Sequence, residues 1–66
     1  MKLTINGEGR KFDAPLTVSG LLAALALEPR KIAVERNLEI VPRSAYGETR
    51  LADGDRIEIV QFVGGG

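Results

Sequence analysis

The chain has 66 residues, 44 % hydrophobic and 27 % charged, with nine Lys and Arg balancing nine Asp and Glu. That suffices for one folded core but leaves no room for a deep enclosed pocket. There is no Cys and no His, which removes disulfides, thiolate chemistry and the usual neutral-pH proton shuttle, and zero net charge argues against nucleic acid as the main partner.

Leu3 and Ile5 alternate with Lys2 and Thr4, the period of a half-buried strand. Asn6-Gly7-Glu8-Gly9 holds two glycines able to take positive φ, so a hairpin is expected there. The returning strand is expected over Arg10 to Asp13 with Phe12 turned inward. Pro15 closes it, because proline has no N–H to give a ladder. Thr17 is suited to cap a helix. Val18, Leu21, Leu22 and Leu25 then fall at helical spacing and lay down one apolar stripe. Gly20 inside that stripe reads as slack in the first turn, and Pro29 is expected to stop the helix. The longest apolar run, Leu21 to Leu27, has seven residues, against about 20 needed to span a bilayer. Nothing near Met1 and Lys2 resembles a secretory signal.

Ile32 to Arg36 reads as a third strand with Ile32 and Val34 on the core side. Asn37 is a plausible left-handed turn residue, Ile40-Val41 a short fourth strand, and Pro42 its end. Residues 43–52 are polar and irregular, with Tyr46 and Leu51 expected to plug the core. Asp53-Gly54-Asp55 signals a turn, and Arg56 to Val63 is the most strand-like segment of all. The order predicts an α+β fold with one main helix packed on one face of a sheet of four to five strands. A single domain is expected over 1–63, with a flexible glycine tail over 64–66.

The tail is the feature with a chemical use. A terminal Gly66 would present a carboxylate with no Cβ beside it, and Gly64 and Gly65 would let the backbone thread a channel too narrow for side chains. The obvious reaction is attack of that carboxylate on the α-phosphate of ATP, giving an acyl adenylate that a nucleophile then opens. The chain has no phosphate-binding loop, His or Cys with which to catalyse this itself. It is therefore expected to be a substrate, neither an enzyme nor a binder of metal or cofactor, with ATP and Mg²⁺ used by the activating partner. Three glycines also read as an expression scar, a clipped linker or a frayed end. Just before them, Val60, Phe62 and Val63 suggest a docking patch, Val60 and Phe62 pointing away from the core-facing Ile57 and Ile59. Phe62 folded over the core edge is the competing expectation. Arg10-Lys11 and Arg30-Lys31 could steer a partner or simply be solvated. Asp53 and Asp55 suit an ordinary turn better than a cation site, and Glu35 with Glu39 would need a pocket to work as an acid–base pair.

These residues carry a resemblance. Ile5-Asn6-Gly7-Glu8, Thr17-Val18 with Leu21-Leu22, Ala33-Val34-Glu35-Arg36-Asn37, Ile40-Val41-Pro42-Arg43, Leu51-Ala52-Asp53-Gly54-Asp55, Ile57-Glu58-Ile59-Val60 and Val63-Gly64-Gly65-Gly66 together resemble the ThiS family of thiamine-biosynthesis sulfur carriers over nearly the whole chain. The resemblance implies a ubiquitin-like β-grasp fold with the last strand central and parallel to the first. It also implies a cytoplasmic carrier cycle. A ThiF-like enzyme adenylates Gly66, sulfur from a cysteine desulfurase converts it to a thiocarboxylate, and a ThiG-like thiazole synthase receives the sulfur. Three other uses of the same features stay open: a molybdopterin-synthase small subunit, a protein-conjugating modifier, and a non-covalent β-grasp interaction module.

Overall fold

The computed structural model describes residues 1–62. Within them the chain forms β1 (Lys2–Ile5), β2 (Glu8–Lys11), α1 (Val18–Ala24), β3 (Ile32–Arg36), β4 (Glu39–Val41) and β5 (Arg56–Gln61), with 3₁₀ turns at Pro29–Lys31 and Arg43–Ala45. The five strands make one mixed sheet in the order β2-β1-β5-β3-β4. β5 runs parallel to β1 and antiparallel to β3, so the last strand is central, as expected.

The alternation read from the sequence decides which way the sheet faces. Leu3 and Ile5, Ile32 and Val34, Val41 and Ile57 all bury their side chains, and Val18, Leu21 and Leu22 of α1 close over them. Tyr46 and Leu51 complete the core from the long connection. Among the described residues no helix is long and apolar enough to cross a membrane.

The first hairpin differs from expectation. Its turn is the two residues Asn6 and Gly7, at φ 50° and 84°, and Ile5 pairs directly with Glu8. Two successive positive φ values match the right-handed twist of the strands they join, so β2 begins two residues earlier than predicted. All four of its residues are exposed. Phe12 lies beyond it, half-buried against the core under the Arg10 guanidinium, 5.8 Å above the ring centre.

α1 starts where the sequence indicates. The Thr17 hydroxyl accepts from the Gly20 N–H at 3.1 Å, while the Val18 and Ser19 N–H groups donate to the carbonyls of Thr49 and Tyr46. The donors that a helix start leaves unpaired are thus satisfied by the cap and the long connection. Gly20 stands close to Leu16: a Cβ there would lie 3.1 Å from Leu16 Cδ1, so a larger residue would require that side chain to shift by a few tenths of an ångström. The helix ends at Ala24, four residues before Glu28, the last position a proline stop at Pro29 would allow. Ala26 takes φ 58°, its N–H donates to the Ala23 carbonyl, and the Leu27 N–H reaches back to the Leu22 carbonyl at 2.9 Å. This is a Schellman closure with alanine in glycine's usual place, and it brings half-buried Leu27 back onto the core.

Candidate functional site

β5 carries the chain from the middle of the sheet toward the glycines. Its odd residues face the helix side, Ile57 fully buried and Ile59 partly so. Its even residues face the open side, where Val60 is 61 % and Phe62 50 % exposed. Phe62 is not among the residues packed on the core. It is nonetheless held by the sheet, its N–H donating to the Lys31 carbonyl at 2.8 Å. The strand is therefore braced up to the last described residue. Val63, Gly64, Gly65 and Gly66 lie outside the described residues.

The same open face extends across β3 to the edge. Val60 sits opposite Ala33, Glu58 opposite Glu35, and Glu35 opposite Ile40, which is 76 % exposed. Leu38, at the tip of the β3–β4 hairpin, is 80 % exposed. Ile40 and Leu38 were not singled out from the sequence. Ile40 could have been, because it alternates with inward-facing Val41; Leu38 carries no such signal.

The other candidates separate. Glu35 and Glu39 do not share a face, since Glu39 pairs with Arg36 while Glu35 pairs with Ile40; they are not an acid–base pair. Asp53 and Asp55 hold turns together. An Asp53 carboxylate oxygen accepts from the Lys2 N–H at 2.6 Å. Asp55 is buried and accepts from the Ala52 N–H at 2.8 Å, Arg36 Nε at 2.8 Å and Asn37 Nδ2 at 3.1 Å. Burial alone would raise its pKa; the Ala52 N–H, the Asn37 amide and the Arg36 guanidinium outweigh burial and hold the carboxyl below its ordinary value. Among the described residues no group of three or more His, Cys, Asp or Glu is placed to hold a metal ion. Arg10 and Lys11, and Arg30 and Lys31, are all exposed.

Asn6 is a further working residue that the sequence reading treated only as a turn. Its side chain accepts from the Ile59 N–H at 2.7 Å and donates to the Ile59 carbonyl at 3.2 Å. It stands in for a strand just where β1 turns away from β5.

A single helix laid on a five-stranded mixed sheet, with a central last strand parallel to the first, defines a ubiquitin-like β-grasp domain. The chain is similar over its whole length to the crystal structure of the thiamine biosynthesis protein ThiS from Geobacter metallireducens, at 39 % identity and a TM-score of 0.86, covering 100 % of both chains. The sequence model of the ThiS family matches residues 3–66, and the chain belongs to that family. It is 46 % identical to the sulfur carrier protein ThiS of Bacillus subtilis over 65 residues, 97 % of this chain and 98 % of that one. It is also 59 % identical over all 66 residues to part of the thiazole synthase of Paramagnetospirillum magneticum, of whose length it spans only 20 %.

Proposed function

We propose that this chain carries sulfur for thiazole formation in thiamine biosynthesis, as a thiocarboxylate on Gly66. The carboxylate of Gly66 attacks the α-phosphorus of ATP in a ThiF-like enzyme, and pyrophosphate leaves. A persulfide sulfur supplied by a cysteine desulfurase displaces AMP from the acyl adenylate. A thiol then reduces the resulting acyl disulfide to the thiocarboxylate. A ThiG-like thiazole synthase takes the sulfur from there. Gly64, Gly65 and Gly66 thread into the two active sites, while Val60, Phe62 and Val63 dock against the enzymes. ATP and Mg²⁺ belong to the activating enzyme, and this chain supplies no catalytic group.

The observation that carries this reading is the ThiS family match, which runs through the glycines to residue 66. It favours thiazole formation over the molybdopterin alternative, and a tail with a use over an idle one. The outward-facing pair Val60 and Phe62 gives the docking surface a basis in geometry. Ordering a glycine tail in a channel costs about 1–2 kcal/mol per residue, so a carrier of this kind needs apolar contact area on its body close to the tail.

Deleting Gly66 in the host should produce a thiamine requirement that added thiamine relieves. Growth of the deletion strain without thiamine would contradict the proposal. Phe62→Asp should weaken docking to the adenylating enzyme by about tenfold and leave the unfolding midpoint near that of the wild type. A variant that unfolds instead would show Phe62 to be structural.

A further inference from the structure

β5 has one edge that the sheet leaves open. Bonding directions alternate along it. The Ile57 carbonyl accepts from the Asn6 N–H, and Ile59 pairs with the Asn6 side chain, so odd residues bond toward β1. The Arg56 carbonyl accepts from Asn37 and the Phe62 N–H donates to Lys31, so even residues bond toward β3. The N–H and C=O of Gln61 therefore point to the β1 side. β1, however, is paired with β5 only as far as Ile57, and the Asn6 side chain reaches only Ile59. Among the described residues, nothing pairs with the Gln61 backbone on that side.

A notch of about 380 Å³ opens beside this edge. Ile5, Leu25, Leu27 and Ile59 form its apolar floor, and Asn6 and Arg10 stand at its rim. An unpaired strand edge is a template for another extended chain. An apolar hollow next to it adds the side-chain pocket that strand addition uses for selectivity.

We infer that an extended strand of the thiazole synthase docks in this notch, pairing its backbone with Gln61 and seating one aliphatic side chain between Leu25, Leu27 and Ile59. This rests on the sulfur-carrier reading above and names part of its docking surface. The occupant follows from the Paramagnetospirillum magneticum relative, where a ThiS-like stretch and a thiazole synthase share one polypeptide; linkage of that kind holds two surfaces together at high effective concentration. Arg10 at the rim suits an acidic residue beside the aliphatic one.

The test is residue-resolved amide exchange of the full chain, alone and saturated with thiazole synthase. The Gln61 amide should exchange freely in the chain alone and slow by at least about tenfold in the complex. Gln61→Pro removes an N–H that has no partner within the described sheet. Its Tm should stay within about 3 °C of wild type, while the affinity for the synthase falls by about tenfold. An unprotected Gln61 in the saturated complex, or unchanged affinity for Gln61→Pro, overturns the inference. So does protection that appears only with the adenylating enzyme, or only on raising the concentration of the chain alone. Should Gln61→Pro fail to fold, the wild-type exchange result decides. Sulfur loading of the wild type, read by mass, is independent of Gln61: a chain that loads sulfur but leaves Gln61 unprotected sinks this inference and spares the proposed function.

Discussion

Asp55 shows how a small core fixes its loops. One buried carboxylate ties the turn before β5 to the end of β3 and to the β3–β4 hairpin, through Ala52, Arg36 and Asn37. An asparagine there keeps one acceptor oxygen but loses the charge and sets an NH2 against one of the three donors, and hydrogen bonds to a charged group are worth about 1.5–3 kcal/mol. Asp55→Asn should therefore lose about 2 kcal/mol in urea unfolding at neutral pH. Because the folded pKa is lowered, ionised Asp55 stabilises the fold above its ordinary carboxylate pKa, and that contribution is lost as pH falls through the folded value. The gap between wild type and Asp55→Asn should accordingly narrow below about pH 4; a gap of constant size would mean the ionised form contributes nothing. Leu38 is the opposite case. It sits at φ 72° in a two-residue hairpin turn, after Asn37 at 51°, where glycine is the preferred second residue. Left-handed backbone costs a branched residue about 1–2 kcal/mol, partly offset by glycine's greater entropy in the unfolded chain. Leu38→Gly should raise stability by about 0.5–1 kcal/mol, measured by the shift in urea midpoint, and a loss would contradict the strain assigned to it.

Elements were legible where a side chain alone sets the pattern. Alternation placed Leu3, Ile5, Ile32, Val34 and Ile57 on the core face, and Thr17 marked the start of α1. What hid from the sequence was backbone closure. The helix stop at Ala26 depends on a left-handed alanine that propensity disfavours, and the early start of β2 depends on Asn6 and Gly7 alone forming the turn. The central place of the last strand, parallel to the first, came from the resemblance, but the register was hidden, because it brings together residues far apart in sequence. Glu35 and Glu58 face each other on the open side of β3 and β5, and the one ion pair among the described residues is Arg36 with Asp55. Like charges directly opposite destabilise a sheet by about 0.2–1 kcal/mol. Glu58→Gln should therefore stabilise the free chain by that order at low salt, and added salt should shrink the gain. A destabilised variant would mean that Glu58 has a stabilising partner.

At the scale of the molecule, the fold works as a mount for its last strand. Between α1 and the sheet, the core holds β5 from Ile57 onward, while β3 braces the strand as far as Phe62. Val60 and Phe62 remain outside, on the face opposite the helix. The outward direction of this pair was legible because period-2 alternation is strict in a central strand. The Gln61 edge was not, since it depends on where β1 stops relative to β5. Everything proposed for the chain turns on Gly66 being loaded by other enzymes. The direct measurement is the intact mass of the chain after incubation with ATP, Mg²⁺, the adenylating enzyme and a persulfide donor with a reducing thiol. A mass gain equal to replacing one oxygen by sulfur, absent when Gly66 is deleted, is the predicted result. An unchanged mass, with an adenylating enzyme shown to be active on another carrier, would contradict it.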